Sequence, residues 1–105
     1  MEAKLVSYII PVYNVSAYIE RCAKSLFTQT YGDIEFIFIN DCSTDDSEVK
    51  LRKVIELFPN VQCRVKIISN KTNLGSATTR NIGLSNAAGN YVMFADSDDW
   101  ISMDY

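Results

Sequence analysis

Histidine is absent from this 105-residue chain, and its three cysteines, Cys22, Cys42 and Cys63, lie far apart with no C-x-x-C spacing. A structural zinc site therefore has no ligand set in the sequence, and the cysteine usage fits a reduced, cytoplasmic setting. Glycine is scarce: Gly32, Gly75, Gly83 and Gly89 form no G-x-G-x-x-G, which disfavours a dinucleotide-binding domain. Long apolar runs are missing too, and no stretch approaches the roughly 18 residues of a membrane span. The opening MEAKLVSYII flows into PVYN without a small-residue cleavage site, so it reads as a strand and not as a signal peptide. Ten basic residues against thirteen acidic ones, with no Lys/Arg cluster, give a net charge of −3 and little support for a nucleic-acid surface.

What is present is the composition of an ordinary globular protein, 48% apolar and 22% charged, read as a single domain over 1–105. Four strand-like runs, LVSYII (5–10), IEFIFI (34–39), RVKIIS (64–69) and YVMFA (91–95), begin about 30 residues apart, the length of a strand plus a crossover helix. Their near-continuous apolar character predicts burial on both faces, as in a parallel sheet. Between the first two, Val15, Tyr18, Ile19, Cys22, Ala23, Leu26 and Phe27 follow helical spacing. A second helix is expected to begin within STDDSE, run through Leu51, Val54, Ile55 and Phe58, and stop at Pro59. A third spans about 76–88, with Gly89 as its C-terminal cap. The expected fold is α/β: a three-layer sandwich with right-handed crossovers.

Parallel sheets bind ligands beyond the carboxyl ends of their strands, so the informative residues are those just after each apolar run. These are PVYN (11–14), NDCSTDD (40–46), NKTNLGSATTRN (70–81) and DSDDW (96–100). Singly, most have plain readings. Tyr13 would serve as a packed aromatic, Asp41 to Asp46 as turn and capping chemistry, and Arg80 as a solvated helix charge. The acids differ, because Asp96, Asp98 and Asp99 crowd the end of a buried strand where a turn needs one. Such carboxylates repel one another unless a cation sits among them. Mg²⁺ or Mn²⁺ is often held by one or two carboxylates plus the phosphates of a substrate, and D-x-D fits that role.

Taken in order and spacing, IIPVYN, INDCSTDDS, N-x-x-N-L-G-S-A-T-T-R-N-I-G and YVMFADSDDW resemble the nucleotide-sugar-binding half of family 2 glycosyltransferases, which have the GT-A fold, over essentially the whole chain. The resemblance implies a mainly parallel sheet of order 3-2-1-4. It implies that Pro11 and Tyr13 flank the base, that Asp41 hydrogen-bonds it, that Arg80 supports the nucleotide side, that Asp96 lies toward the ribose, and that Asp98 binds Mn²⁺ or Mg²⁺. Asn40 stands where family members often have Asp, and Cys42 where they often have Gly. The implied reaction is transfer of a sugar, from a UDP-sugar by preference, to an acceptor hydroxyl with inversion, in the building of cell-envelope polysaccharide. No catalytic residue is assigned: the general base and the saccharide or lipid-linked acceptor belong to a region expected after Tyr105, so the chain reads as a donor-binding part, inactive alone and peripheral to the membrane when full-length. The 91–95 edge or the tail 100–105 is expected to drive self-association. Two other readings use the same βα rhythm: a non-catalytic nucleotide-sugar-binding or interaction module, and a phospho-receiver domain, which would need a carboxylate pair where PVYN stands.

Overall fold

The structure, a computed structural model, describes residues 5–28, 33–89 and 91–94. Strands β1 (Leu5–Val12), β2 (Asp33–Asn40), β3 (Val65–Ser69) and β4 (Tyr91–Phe94) alternate with helices α1 (Ile19–Phe27), α2 (Ser47–Glu56) and α3 (Ser76–Asn86). All neighbouring strands pair in parallel, and their order is β3-β2-β1-β4, as the family resemblance implies.

The alternation of β1 assigns its faces. Val6, Tyr8, Ile10 and Val12 join Ile34, Phe36 and Phe38 of β2 in a core cluster with Ile19, Cys22, Leu26 and Phe27 of α1 and Leu51 and Val54 of α2. Phe27 stands edge-on to Phe36 and Phe38, which fixes α1 over the middle of the sheet. The opposite face carries Ile9, Ile37 and Ile39, covered by Ile82 and Ala87 at and just after α3. Each fully buried isoleucine there contributes about 1.5–3 kcal/mol. Helix α3 comes close because Gly83 faces the sheet: a Cβ at that position would lie 2.4 Å from Ile9 Cγ2 and 3.0 Å from Ile39 Cδ1.

Two expectations change. Only the central strands are buried on both faces; β3 and β4 are half-exposed, and Tyr91 and Phe94 reach solvent. A run of apolar residues thus marks a strand without saying whether it is central. Gly89 does not cap α3 either. The C-cap is Ala87, in extended conformation, and among the described residues the one glycine at positive φ is Gly75. The chain leaves α3 through a polar knot instead. The Glu35 carboxylate, 7% exposed, accepts hydrogen bonds from the Ser7 hydroxyl and the Ala88 amide, both at 2.6 Å, while the Gly89 amide donates to Ser7 Oγ. Lys66 adds an ion pair at 3.4 Å. Burial alone would raise the Glu35 carboxyl, but these donors and the lysine outweigh it and hold the group below its ordinary value.

Candidate functional site

The carboxyl ends of β1, β2 and β3 open onto one edge, and the loops that follow them are tied together by side chains. The β1–α1 loop begins with Tyr13, 47% exposed, and Asn14, whose φ of 49° turns the chain through left-handed conformation. Three consecutive amides of this loop are then taken by side chains of the β2–α2 loop. Asn14 N–H donates to Ser43 Oγ at 3.1 Å, Val15 N–H to Ser47 Oγ at 2.9 Å, and Ser16 N–H to Asp45 Oδ2 at 3.2 Å. In the other direction, Thr44 N–H donates to Asn14 Oδ1 at 2.7 Å. The chain turns on the Val15 carbonyl, which accepts from the Tyr18 and Ile19 amides, and regular helix α1 opens at Ile19.

Asp41 organises the third loop. The residue is 5% exposed, and its carboxylate accepts from Asn70 Nδ2 at 2.9 Å, Leu74 N–H at 2.7 Å and Gly75 N–H at 3.0 Å. Burial would raise this carboxyl; the Leu74 amide, Asn70, the Gly75 amide and the Thr79 hydroxyl together bring it below its ordinary value, so it is a settled anion at neutral pH. Gly75, at φ 88°, caps α3 in a backbone conformation that a side chain would strain. The polar loop N-x-x-N-L-G is thus wrapped around one buried carboxylate.

Asn40, at the end of β2, satisfies two partners of opposite need: its Oδ1 accepts from Ser43 N–H and its Nδ2 donates to Glu48 Oε1, both at 2.9 Å. Ser69 Oγ and Arg52 donate to the same glutamate. An Asp at position 40 would face Glu48 as a like charge. Cys42 sits at φ 60°, which explains why glycine is common at this place in the pattern that the chain resembles.

Of the residues expected to form the site, Pro11 and Tyr13 lie at the end of β1, Asp41 just after β2, and Arg80 half-buried on α3. Asp96, Asp98 and Asp99 fall outside the described residues, as does the tail 100–105. Among the described residues no group of three or more His, Cys, Asp or Glu side chains could hold a metal ion. Asp41 and Asp45 are already engaged with N–H and O–H donors. From the sequence Asp45 reads only as turn and capping chemistry, and Asn14, Ser43, Ser47 and Asn70 carry no site role, yet together they fix the loops. Their one signal is that short polar residues fill these loops, which turns and caps produce equally well. No helix among the described residues is long and apolar enough to cross a membrane.

Comparison with known proteins gives the same answer as the motifs. Residues 7–105 match the model of the family described as glycosyl transferase family 2. Glycosyltransferase GlyA of Streptococcus pneumoniae is 44% identical over 95% of this chain and 14% of its own length. Among solved structures, a mannosyltransferase from Pyrobaculum calidifontis in complex with GDP-Man and Mn²⁺ superposes with a TM-score of 0.88 at 25% identity, over 99% of this chain and 30% of that one. S. aureus TarS 1-349 in complex with UDP-GlcNAc gives 0.79 at 33% identity, over 94% of this chain and 28% of that one. The chain therefore spans less than a third of each of these three proteins. From the shared sheet, the shared motifs and the match over nearly its whole length, the chain belongs to glycosyl transferase family 2.

Proposed function

We propose that this chain is the donor-binding part of an inverting glycosyltransferase that transfers a sugar from a nucleoside diphosphate, UDP by preference, to an acceptor hydroxyl. The observation that carries the reading is the pair of tied loops. They hold an exposed aromatic ring, Tyr13, and a settled carboxylate, Asp41, at the edge where parallel sheets bind ligands. Neighbours of the same fold bound to GDP-Man or UDP-GlcNAc support the ligand class.

In this reading Pro11 and Tyr13 present the face on which the base stacks. Asp41 accepts a base N–H in addition to holding the 70–75 loop, Arg80 balances the nucleotide's negative charge, and Asp96 lies toward the ribose. Asp98 would hold Mn²⁺ or Mg²⁺, which when bound offsets the charge of the diphosphate leaving group. The acceptor and its general base we place outside these residues.

Calorimetric titration of UDP, GDP and their sugars, with Mn²⁺ and with a chelator, tests the proposal. Binding of a nucleoside diphosphate should weaken at least about tenfold in chelator, and Asp98→Ala should lose a similar factor, as expected for a contact to a charged group worth about 1.5–3 kcal/mol. Asp41→Asn should weaken nucleotide binding and also lower the urea midpoint, since an amide nitrogen cannot accept from the Leu74 and Gly75 amides. Equal affinity with and without metal would remove the metal from the reading. Failure of every nucleotide to bind would overturn it.

A further inference from the structure

A groove of about 480 Å³ runs between α1 and α2, lined by Ser16, Glu20, Arg21, Lys24, Ser25 and Lys50 among others. Three cations and the Glu20 carboxylate line it, with the Asp45 carboxylate bound to Ser16 beside them, which leaves a locally positive groove on a chain whose net charge is −3. The cations are placed by the fold. Arg21 and Lys24 stand three residues apart on α1, hence on one helix face. Lys50 comes from α2 across the groove, and its ammonium is held at the wall by donating to the Ser16 carbonyl at 3.1 Å, a half-buried bond. Ser16 is itself fixed through its N–H by Asp45, in the same β1–α1 loop that carries Tyr13.

Like charges brought to one groove from two helices raise each other's energy, and an anion between them lowers it. An arginine beside two lysines, with a serine hydroxyl at hand, suits phosphate: the guanidinium matches two oxygens at once and the ammonium groups supply point charge. We propose that the α1–α2 groove binds a phosphate-bearing anion through Arg21, Lys24 and Lys50. The same chemistry could reach the groove as a free phosphate or diphosphate, or as the headgroup of an anionic lipid.

The test uses the 105-residue chain and two probes. Inorganic pyrophosphate is titrated while amide resonances are followed, and cosedimentation is measured with phosphatidylglycerol vesicles against phosphatidylcholine vesicles. Either probe should act on the 16–25 segment and Lys50, weaken as salt rises, and lose at least about tenfold in the double variant Arg21→Glu, Lys24→Glu, because reversing two charges turns attraction into repulsion. Both positions are exposed, so the variant should keep its fold, and nucleoside diphosphate binding at the Tyr13 edge should be unchanged in it. Pyrophosphate shifts without vesicle binding identify a soluble phosphate; variant-sensitive vesicle binding identifies the lipid headgroup. If neither probe acts, or if the double variant responds to both as the original does, the groove is not an anion site.

Discussion

At the scale of single residues, the two departures from the family's usual pattern have opposite physical characters. Asn40 is matched to its neighbours, with one end accepting from Ser43 N–H and the other donating to Glu48. Restoring the commoner residue should therefore harm this protein: Asn40→Asp is expected to lower stability by about 1 kcal/mol at pH 7, read from urea midpoints, and the loss should largely disappear when Glu48→Gln is added. A double variant no better than the single one would show that the glutamate is not the reason for the amide. Cys42 instead occupies a left-handed backbone without a matching gain beyond a weak bond from its thiol to the Lys71 carbonyl. The sequence shows that position 40 is an amide, but the need for one appears only when Glu48, eight residues on, is brought round by the turn into α2. In the same way Ser43 and Ser47 read as ordinary turn and capping residues until the β1–α1 loop is laid beside them.

At the scale of elements, the contact between α3 and the sheet is set by Gly83. A side chain there would drive into Ile9 and Ile39, so Gly83→Val should destabilise by on the order of 2 kcal/mol even though a mid-helix glycine normally costs about 1 kcal/mol. If the clash is the cause, Gly83→Val combined with Ile9→Ala should cost less than the sum of the two single variants, and thermal unfolding of all three variants decides it. Helix α3 also shows which features a sequence conceals. Its pattern is weak because its small residues pack by close approach instead of by an apolar stripe, whereas α1 and the two central strands were plain from spacing alone. The end of α3 was misread at Gly89 because the polar knot of Glu35, Ser7 and Ala88 spans 81 positions, from Ser7 to Ala88, and no local rule reports it.

For the whole molecule, the described carboxylates with shifted acidity all move the same way. Glu35, Asp41, Asp45 and Glu48 are each held below their ordinary values, by hydrogen bonds that overcome burial in the first three and mainly by Asn40 and Ser69 in the last. A depressed folded value means stabilisation present above the unfolded carboxyl range, near pH 4, and lost as pH falls through the lower folded values. The urea midpoint should thus stay level from pH 7 to about 5 and drop steeply below about 4, with a shallower drop in Asp41→Asn; an acid-insensitive midpoint would contradict these shifts. The gathering of the three loops on one edge was legible because parallel βα topology requires it, while the way they are fastened was not. That fastening limits how this surface can diversify. With Asn14, Val15 and Ser16 each matched to a separate oxygen across the gap, one residue inserted after Tyr13 would put all three out of step, so the β1–α1 loop is fixed in length even though its tip faces solvent. Change at this surface then comes by exchange of exposed side chains such as Tyr13, and not by insertion or deletion in the loop that carries it.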